Sequence, residues 1–247
     1  ASGHREIVLT GVDITSWGGD LTASENEGLG DLVSAILENT PTLERLRLSS
    51  VDAVELDAKL LDRVVRDKRV MPHLHLSLQA GDDMILKRMK RRHTREDAIA
   101  FCREIKTKRP DMVFGADIIA GFPTETDEMF ENSLKLVETC EIVWLHVFPF
   151  SPRPDTPAAK MPQLSGETIR ERARLLREAG DKVRQNWLET QIGSTLKGLI
   201  EKPGQARSET FAIIDFSNEE DNSPIGEIYN FEITGHDGSK LIGKRLA

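Results

Sequence analysis

Five short knots in this sequence hold residue types that chemistry uses. Thr10-Gly11-Val12-Asp13 closes an apolar run: a glycine lets a ligand approach the backbone, and Asp13 can accept from an ammonium group. Each feature also has a plainer use, here an ordinary turn. Ser49 and Ser50 end a second run, with hydroxyls suited to a ribose, a carboxylate or a turn. Gln79-Ala80-Gly81 ends a third. Ile119-Ala120-Gly121-Phe122 ends the fourth, where a planar ring can lie against Gly121. Phe148, followed by Pro149, Phe150 and Ser151, supplies aromatic and backbone groups at the fifth. Taken singly, the aromatics read as core. Five such ends side by side describe a nucleotide-sized site.

Charge adds a second feature. The chain has a net charge of −8, yet residues 71–110 carry ten Lys and Arg against five Asp and Glu. Most of that excess is Lys87, Arg88, Lys90, Arg91 and Arg92, directly after the Gln79 knot. The run reads either as a solvated face or as a phosphate grip near the mouth of the site. His73 and His75 lie two apart on a strand and so face one side. With no third ligand evident they read as core or surface histidines, and no metal site is expected. The two cysteines, Cys102 and Cys140, lie on apolar helical stripes and read as buried thiols. Few cysteines and no apolar run near ~20 residues suit a cytoplasmic protein without membrane contact.

The knots need elements to hold them. Each closes a strand-like run, and a helical pattern follows each: Leu29, Leu32, Val33, Ile36 and Leu37 after the first, and Leu60, Leu61, Val64 and Val65 after the second. Ser24 to Glu27 forms a capping-box signature, and Asp57 and Thr94 read as helix caps. Five such units predict a parallel sheet whose strand ends open on one side. A long helix is expected from Ser165 to about Glu189. Beyond Gly193, four short alternating runs (195–201, 210–216, 228–233 and 240–243) read as a small antiparallel barrel or sandwich.

Together these knots resemble the radical S-adenosylmethionine tRNA methylthiotransferases, and most closely the branch acting on N6-threonylcarbamoyladenosine beside the anticodon. The carriers are Val8 to Ile14, Leu46 to Ser50, His75 to Asp82, Leu86 to His93, Asp117 to Pro123 and Phe148 to Pro154. The resemblance implies a partial parallel β/α barrel over 1–160, with its first strand missing. A connecting helix over 161–190 and an RNA-binding barrel of the TRAM type over 191–247 would follow. It implies that Gly11, Val12 and Asp13 meet the methionine end of S-adenosylmethionine. Ser49, Ser50 and Gln79 would reach its carboxylate or ribose, and Ile119, Ala120, Gly121, Phe122 and Phe148 would flank its adenine.

The family's cluster-binding Cys-x-x-x-Cys-x-x-Cys is not among these 247 residues. The chain therefore reads as a fragment, with the [4Fe–4S] clusters and the electron donor belonging to a longer parent. No catalytic residue is expected in the fragment itself. The expected partner is tRNA, gripped by the basic run and by Lys197, Lys202 and Arg207. Activity on isopentenyl-adenosine or on a ribosomal-protein aspartate, a non-catalytic RNA-binding role, and an unrelated phosphate-binding barrel enzyme stand as alternatives.

Overall fold

The computed structural model describes residues 3–19, 28–217 and 223–246. The expected Ser24–Glu27 capping box lies outside them. Strand and helix alternate: β1 (Glu6–Leu9), α1 (Leu29–Asn39), β2 (Arg45–Leu48), β3 (Ser50–Val51), α2 (Ala58–Arg66), β4 (His73–Gln79), α3 (Asp83–Arg88), α4 (Arg95–Lys108), β5 (Val113–Ala120), α5 (Asp127–Thr139), β6 (Ile142–Pro149) and α6 (Gly166–Thr190). Asp57, Thr94 and Ser165 accept hydrogen bonds from the first turns of α2, α4 and α6. Each leaves one fewer orphan N–H at its helix start.

Every pairing among β1 to β6 is parallel. Among the described residues β1 pairs only β2, while β3, β4, β5 and β6 form one sheet in chain order. The second strand position breaks at Ser49: its first half pairs β1, its second half β4. The result is the expected five-position open barrel. β1 is an edge, with Val8 53% exposed.

The two faces of the sheet differ. Leu74, Leu76, Leu78, Phe114, Ala116 and Ile118 are buried against the helices. The alternate residues, His73, His75, Ser77 and Gln79 on β4, Asp117 and Ile119 on β5, and Trp144, His146 and Phe148 on β6, turn to the concave face. α6 does more than connect. Its Ala173 and Leu176 sit in the same core, and a Cβ at Gly180 would stand 2.9 Å from Leu145 of β6.

The C-terminal segment closes a five-stranded barrel: β7 (Thr195–Lys202), β8 (Gln205–Ser208), β9 (Ile213–Asp215), β11 (Leu241–Arg245), β10 (Ile228–His236), and back to β7. Its interior holds Ile200, Ala206, Ile214, Phe216, Phe231, Ile233 and Leu241. Two details differ from the sequence reading. β8, a four-residue polar strand, adds a fifth member, and β9 and β11 pair parallel while the other seams are antiparallel.

This barrel seats on the concave face at the N-terminal ends of the parallel strands. Arg45 donates to the Arg207 and Lys197 carbonyls at 3.0 and 2.9 Å, and Arg47 to those of Glu209 and Ser208 at 3.0 and 2.6 Å. Glu6 lies against both guanidiniums, 2.8 Å from Arg47. His73 stacks flat on Phe211 at 4.7 Å, and Trp144 donates to the Thr210 carbonyl at 3.0 Å.

Candidate functional site

The strand ends gather at the rim opposite the small barrel. Gly11, Val12 and Asp13 are exposed, and the Asp13 carboxylate already accepts from Ser16 at 2.7 Å and Thr15 at 3.0 Å. The Ser16 and Thr15 bonds hold its carboxyl below the usual range. Ser50 is exposed, whereas the Ser49 hydroxyl is buried and has no hydrogen-bond partner among the described residues. Gln79 sits in the left-handed region at φ 64°, beside a register shift between β4 and β5. A bulge with a non-glycine residue in that region re-aims a side chain at some strain, which suits a binding position. Ile119 is half-buried, and Phe148 is 50% exposed on the concave face.

Three of the expected adenine contacts are used by the fold instead. Ala120 points into the helix-side core and is fully buried. Phe122 is 5% exposed, packing edge-on against Phe150 at 5.3 Å beside Ala80, Ile85 and Leu86. Gly121, at φ 74°, makes room for α6: a Cβ there would lie 2.8 Å from Ile169. Its N–H donates to Glu125, which Arg172 grips at 2.8 Å. The strand after Asp117 thus ends in a packing joint, and only Ile119 of that stretch faces the open side.

The basic run divides in the same way. Arg91 donates to Asp52 at 2.6 Å and to the Ser77 carbonyl at 2.8 Å, and Arg88 is half-buried near the Thr124 carbonyl. These two are braces. Lys87, Lys90 and Arg92 are exposed, Arg92 with Glu55 as a surface partner. On the small barrel, Arg207 is held by both Glu201 oxygens and lies over Phe211 at 4.7 Å, so it too is committed to the fold. Lys197 and Lys202 are exposed.

A cluster that sequence spacing did not reveal lies between these levels. His75 Nε2 stands 2.9 Å from Asp117 Oδ1, and His146 Nδ1 3.2 Å from the same oxygen. The three come from neighbouring strands, with Asp117 and His146 paired in register. Burial pushes the Asp117 carboxyl up. The His75 hydrogen bond and the charges of His75 and His146 outweigh it and hold the carboxyl below its ordinary value. The three ligand-type atoms lie within 4.8 Å of one another, a geometry that a divalent cation could also use. A signal was present in the sequence: Asp117 and His146 each interrupt an apolar strand on the side away from the helices.

A large cavity, about 1050 Å³, lies elsewhere, under the N-terminal ends of the strands between α4, α6 and the small barrel. Lys106, Lys108, Arg109 and Lys182 there pair with Glu141, Glu104, Asp111 and Glu138, so its charge is largely satisfied. Strand-end chemistry places the site at the opposite rim.

Residues 2–137 match the family model of the radical SAM superfamily. The chain belongs to the radical SAM superfamily. Among its relatives is a threonylcarbamoyladenosine tRNA methylthiotransferase MtaB of Rickettsia prowazekii, 45% identical over 94% of this chain and 54% of that protein. A second protein of that name, from Aquifex aeolicus, is 35% identical over 88% of this chain and 52% of its own length. A tRNA-2-methylthio-N(6)-dimethylallyladenosine synthase of Agrobacterium fabrum is 34% identical over 98% of this chain and 54% of that protein. The chain spans about half the length of the curated relatives it matches.

A radical SAM fold implies S-adenosylmethionine and an iron–sulfur cluster. The unpartnered Ser49 hydroxyl and the re-aimed Gln79 fit an adenosyl ligand at the rim. The two thiols present do not fit a cluster. Cys102 and Cys140 are buried in the helix-side core, where a hydrogen bond from one to the other, then burial, pushes the Cys102 thiol up. A cluster needs three or four convergent thiolates.

Proposed function

We propose that this chain is the S-adenosylmethionine-holding and tRNA-facing part of an enzyme that adds a methylthio group to threonylcarbamoyladenosine in tRNA. The observation that carries this reading is the 45% identity, over nearly the whole chain, with the Rickettsia methylthiotransferase of that name. The rim geometry supports it. Ser49, Ser50 and Gln79 would hold the ribose or carboxylate of the cofactor, Asp13 with Gly11 and Val12 its ammonium end, and Ile119 and Phe148 its adenine. When bound, S-adenosylmethionine is the source of the radical chemistry. The chain's share is to orient the reacting groups and exclude water. The cluster and its electron donor belong to parts of the enzyme outside these residues.

The RNA would cross the exposed part of the basic run, Lys87, Lys90 and Arg92, and reach the small barrel, which we read as of the TRAM type. Its strand order, first-second-third-fifth-fourth, matches an oligonucleotide-binding barrel, in which the first and last hairpin turns meet the strand. Lys202 sits at the first of those turns. The setting would be the cytoplasm. Nucleoside analysis of tRNA from cells lacking the gene tests the reading: methylthio-threonylcarbamoyladenosine should vanish, and its persistence would refute the reading.

A further inference from the structure

The cluster of His75, Asp117 and His146 has no part in holding the cofactor as read above. It lies on the concave face one pleat repeat, about 6.6 Å, below Ile119 and Phe148. The His146 side chain is 59% exposed and that of Asp117 25%, so both open into the space that the sheet encloses. Both imidazoles bond the same oxygen of Asp117. Among the described residues its Oδ2 takes part in no hydrogen bond. Beneath the cluster, His73 is buried against Phe211, and its Nε2 has no hydrogen-bond partner among the described residues. Gly115 lets both rings pack against the strand: a Cβ there would stand 2.6 Å from His75 Nδ1 and 3.3 Å from His73 Nε2. The floor of the concave face therefore offers one free carboxylate oxygen and several imidazole nitrogens at close quarters.

We propose that His75, Asp117 and His146 form the subsite that reads the N6 substituent of the substrate adenosine. They accept a polar, ureido-linked amino acid there and reject an apolar substituent. The inference rests on the tRNA-modifying function proposed above. Its chemistry is complementary. A threonylcarbamoyl group presents ureido N–H donors, which suit the free oxygen of Asp117. It also presents a hydroxyl, which can donate to the outer ring nitrogen that the exposed His146 keeps free once its Nδ1–H serves Asp117. A dimethylallyl group has only carbon to offer. Seated here, it would strip water from the carboxylate and imidazoles and return no hydrogen bond, the arrangement that penalises a wrong substrate most heavily.

The test measures binding of this chain to three anticodon stem-loops of one sequence, carrying adenosine, threonylcarbamoyladenosine or dimethylallyladenosine. The chain should prefer the threonylcarbamoyl stem-loop. Asp117→Asn and His146→Ala should each weaken that binding about tenfold while leaving the unmodified stem-loop unchanged, a pattern that general loosening of the fold does not give. His146→Ala changes an exposed side chain and serves as the variant that must fold. If the wild type prefers the threonylcarbamoyl stem-loop and both variants keep that preference, the subsite is refuted and the function stands. If the threonylcarbamoyl stem-loop is not preferred, the subsite is refuted; the function stands or falls separately, on the nucleosides of the deletion strain. If Co²⁺ alone gives a ligand-field band that Asp117→Asn abolishes, the cluster is a metal site and the subsite is overturned.

Discussion

Arg47 donates from Nη2 to the Ser208 carbonyl at 2.6 Å while its Nε holds the Glu6 carboxylate at 2.8 Å. One side chain, 3% exposed, thus ties the edge strand, the second strand and the small barrel together. Arg45 repeats the arrangement two residues earlier on the same strand, and burial is the first influence on its guanidinium, lowering its pKa. The small barrel is consequently a fixed part of the concave wall, and whatever binds between the two lobes meets a preformed surface.

Arg47→Ala leaves the Ser208 and Glu209 carbonyls without that donor and Glu6 with Arg45 alone, a change that costs about 1–3 kcal/mol. Urea unfolding followed by tryptophan fluorescence should show that loss, since Trp144 donates to Thr210 across the same joint. A loss below about 1 kcal/mol would mean the joint is held by apolar packing alone.

The split within the basic run separates exposed cations, the proposed RNA contacts, from braces. Replacing Lys87, Lys90 and Arg92 with Ala should leave the fold intact and lower the salt slope of tRNA binding by about 0.7–0.9 for each phosphate no longer neutralised. Arg91→Ala should instead destabilise the fold, because it strands Asp52 and the Ser77 carbonyl. An unchanged salt slope in the triple variant would make the run a solvated face.

His73 sets an acid sensitivity. Burial, then the charge of Arg47, push its imidazole from the ordinary 6.5 down to about 3. Between those values the unfolded chain takes up a proton that the folded chain refuses. Its contribution to stability is therefore complete above pH 6.5 and shrinks as the pH falls, by about 1.4 kcal/mol per pH unit. His73→Phe keeps the stack on Phe211 and removes the titration. Its stability should fall less than that of the wild type between about pH 7.5 and 5.5, and equal slopes would contradict the assignment.

Gly121 is a packing joint rather than a cradle for a ring. Gly121→Ala forces a left-handed residue against Ile169 and should cost about 1–3 kcal/mol of stability. Differential scanning calorimetry and S-adenosylmethionine binding separate the two roles. A variant that melts like the wild type but no longer binds the cofactor would restore the ligand reading of Gly121.

Most of the fold was legible because its signals are local. Apolar runs of about four to eight residues, the caps Asp57, Thr94 and Ser165, and the helical stripes mark the elements within a few positions. What escaped was tertiary. β8, Gln205 to Ser208, carries too little apolar pattern to read as a strand, and the parallel seam between β9 and β11 depends on closure of the barrel. At the rim, the glycine at 121 and the phenylalanine at 122 looked available because sequence cannot show α6 and α3 arriving against them. The cluster on the concave face was half visible, as His73 and His75 share a face by strand period. Its other members lie 42 residues from His75 and 29 further on, a separation no spacing rule covers.

The most direct measurement of the central claim is mass spectrometry of nucleosides from tRNA of cells in which the gene encoding this sequence is deleted. The expected result is loss of the 2-methylthio derivative of threonylcarbamoyladenosine, a matching rise of the unthiolated nucleoside, and no change in methylthio-dimethylallyladenosine. Restoring the gene should return the derivative. Undiminished methylthio-threonylcarbamoyladenosine in the deletion strain would contradict the proposed function.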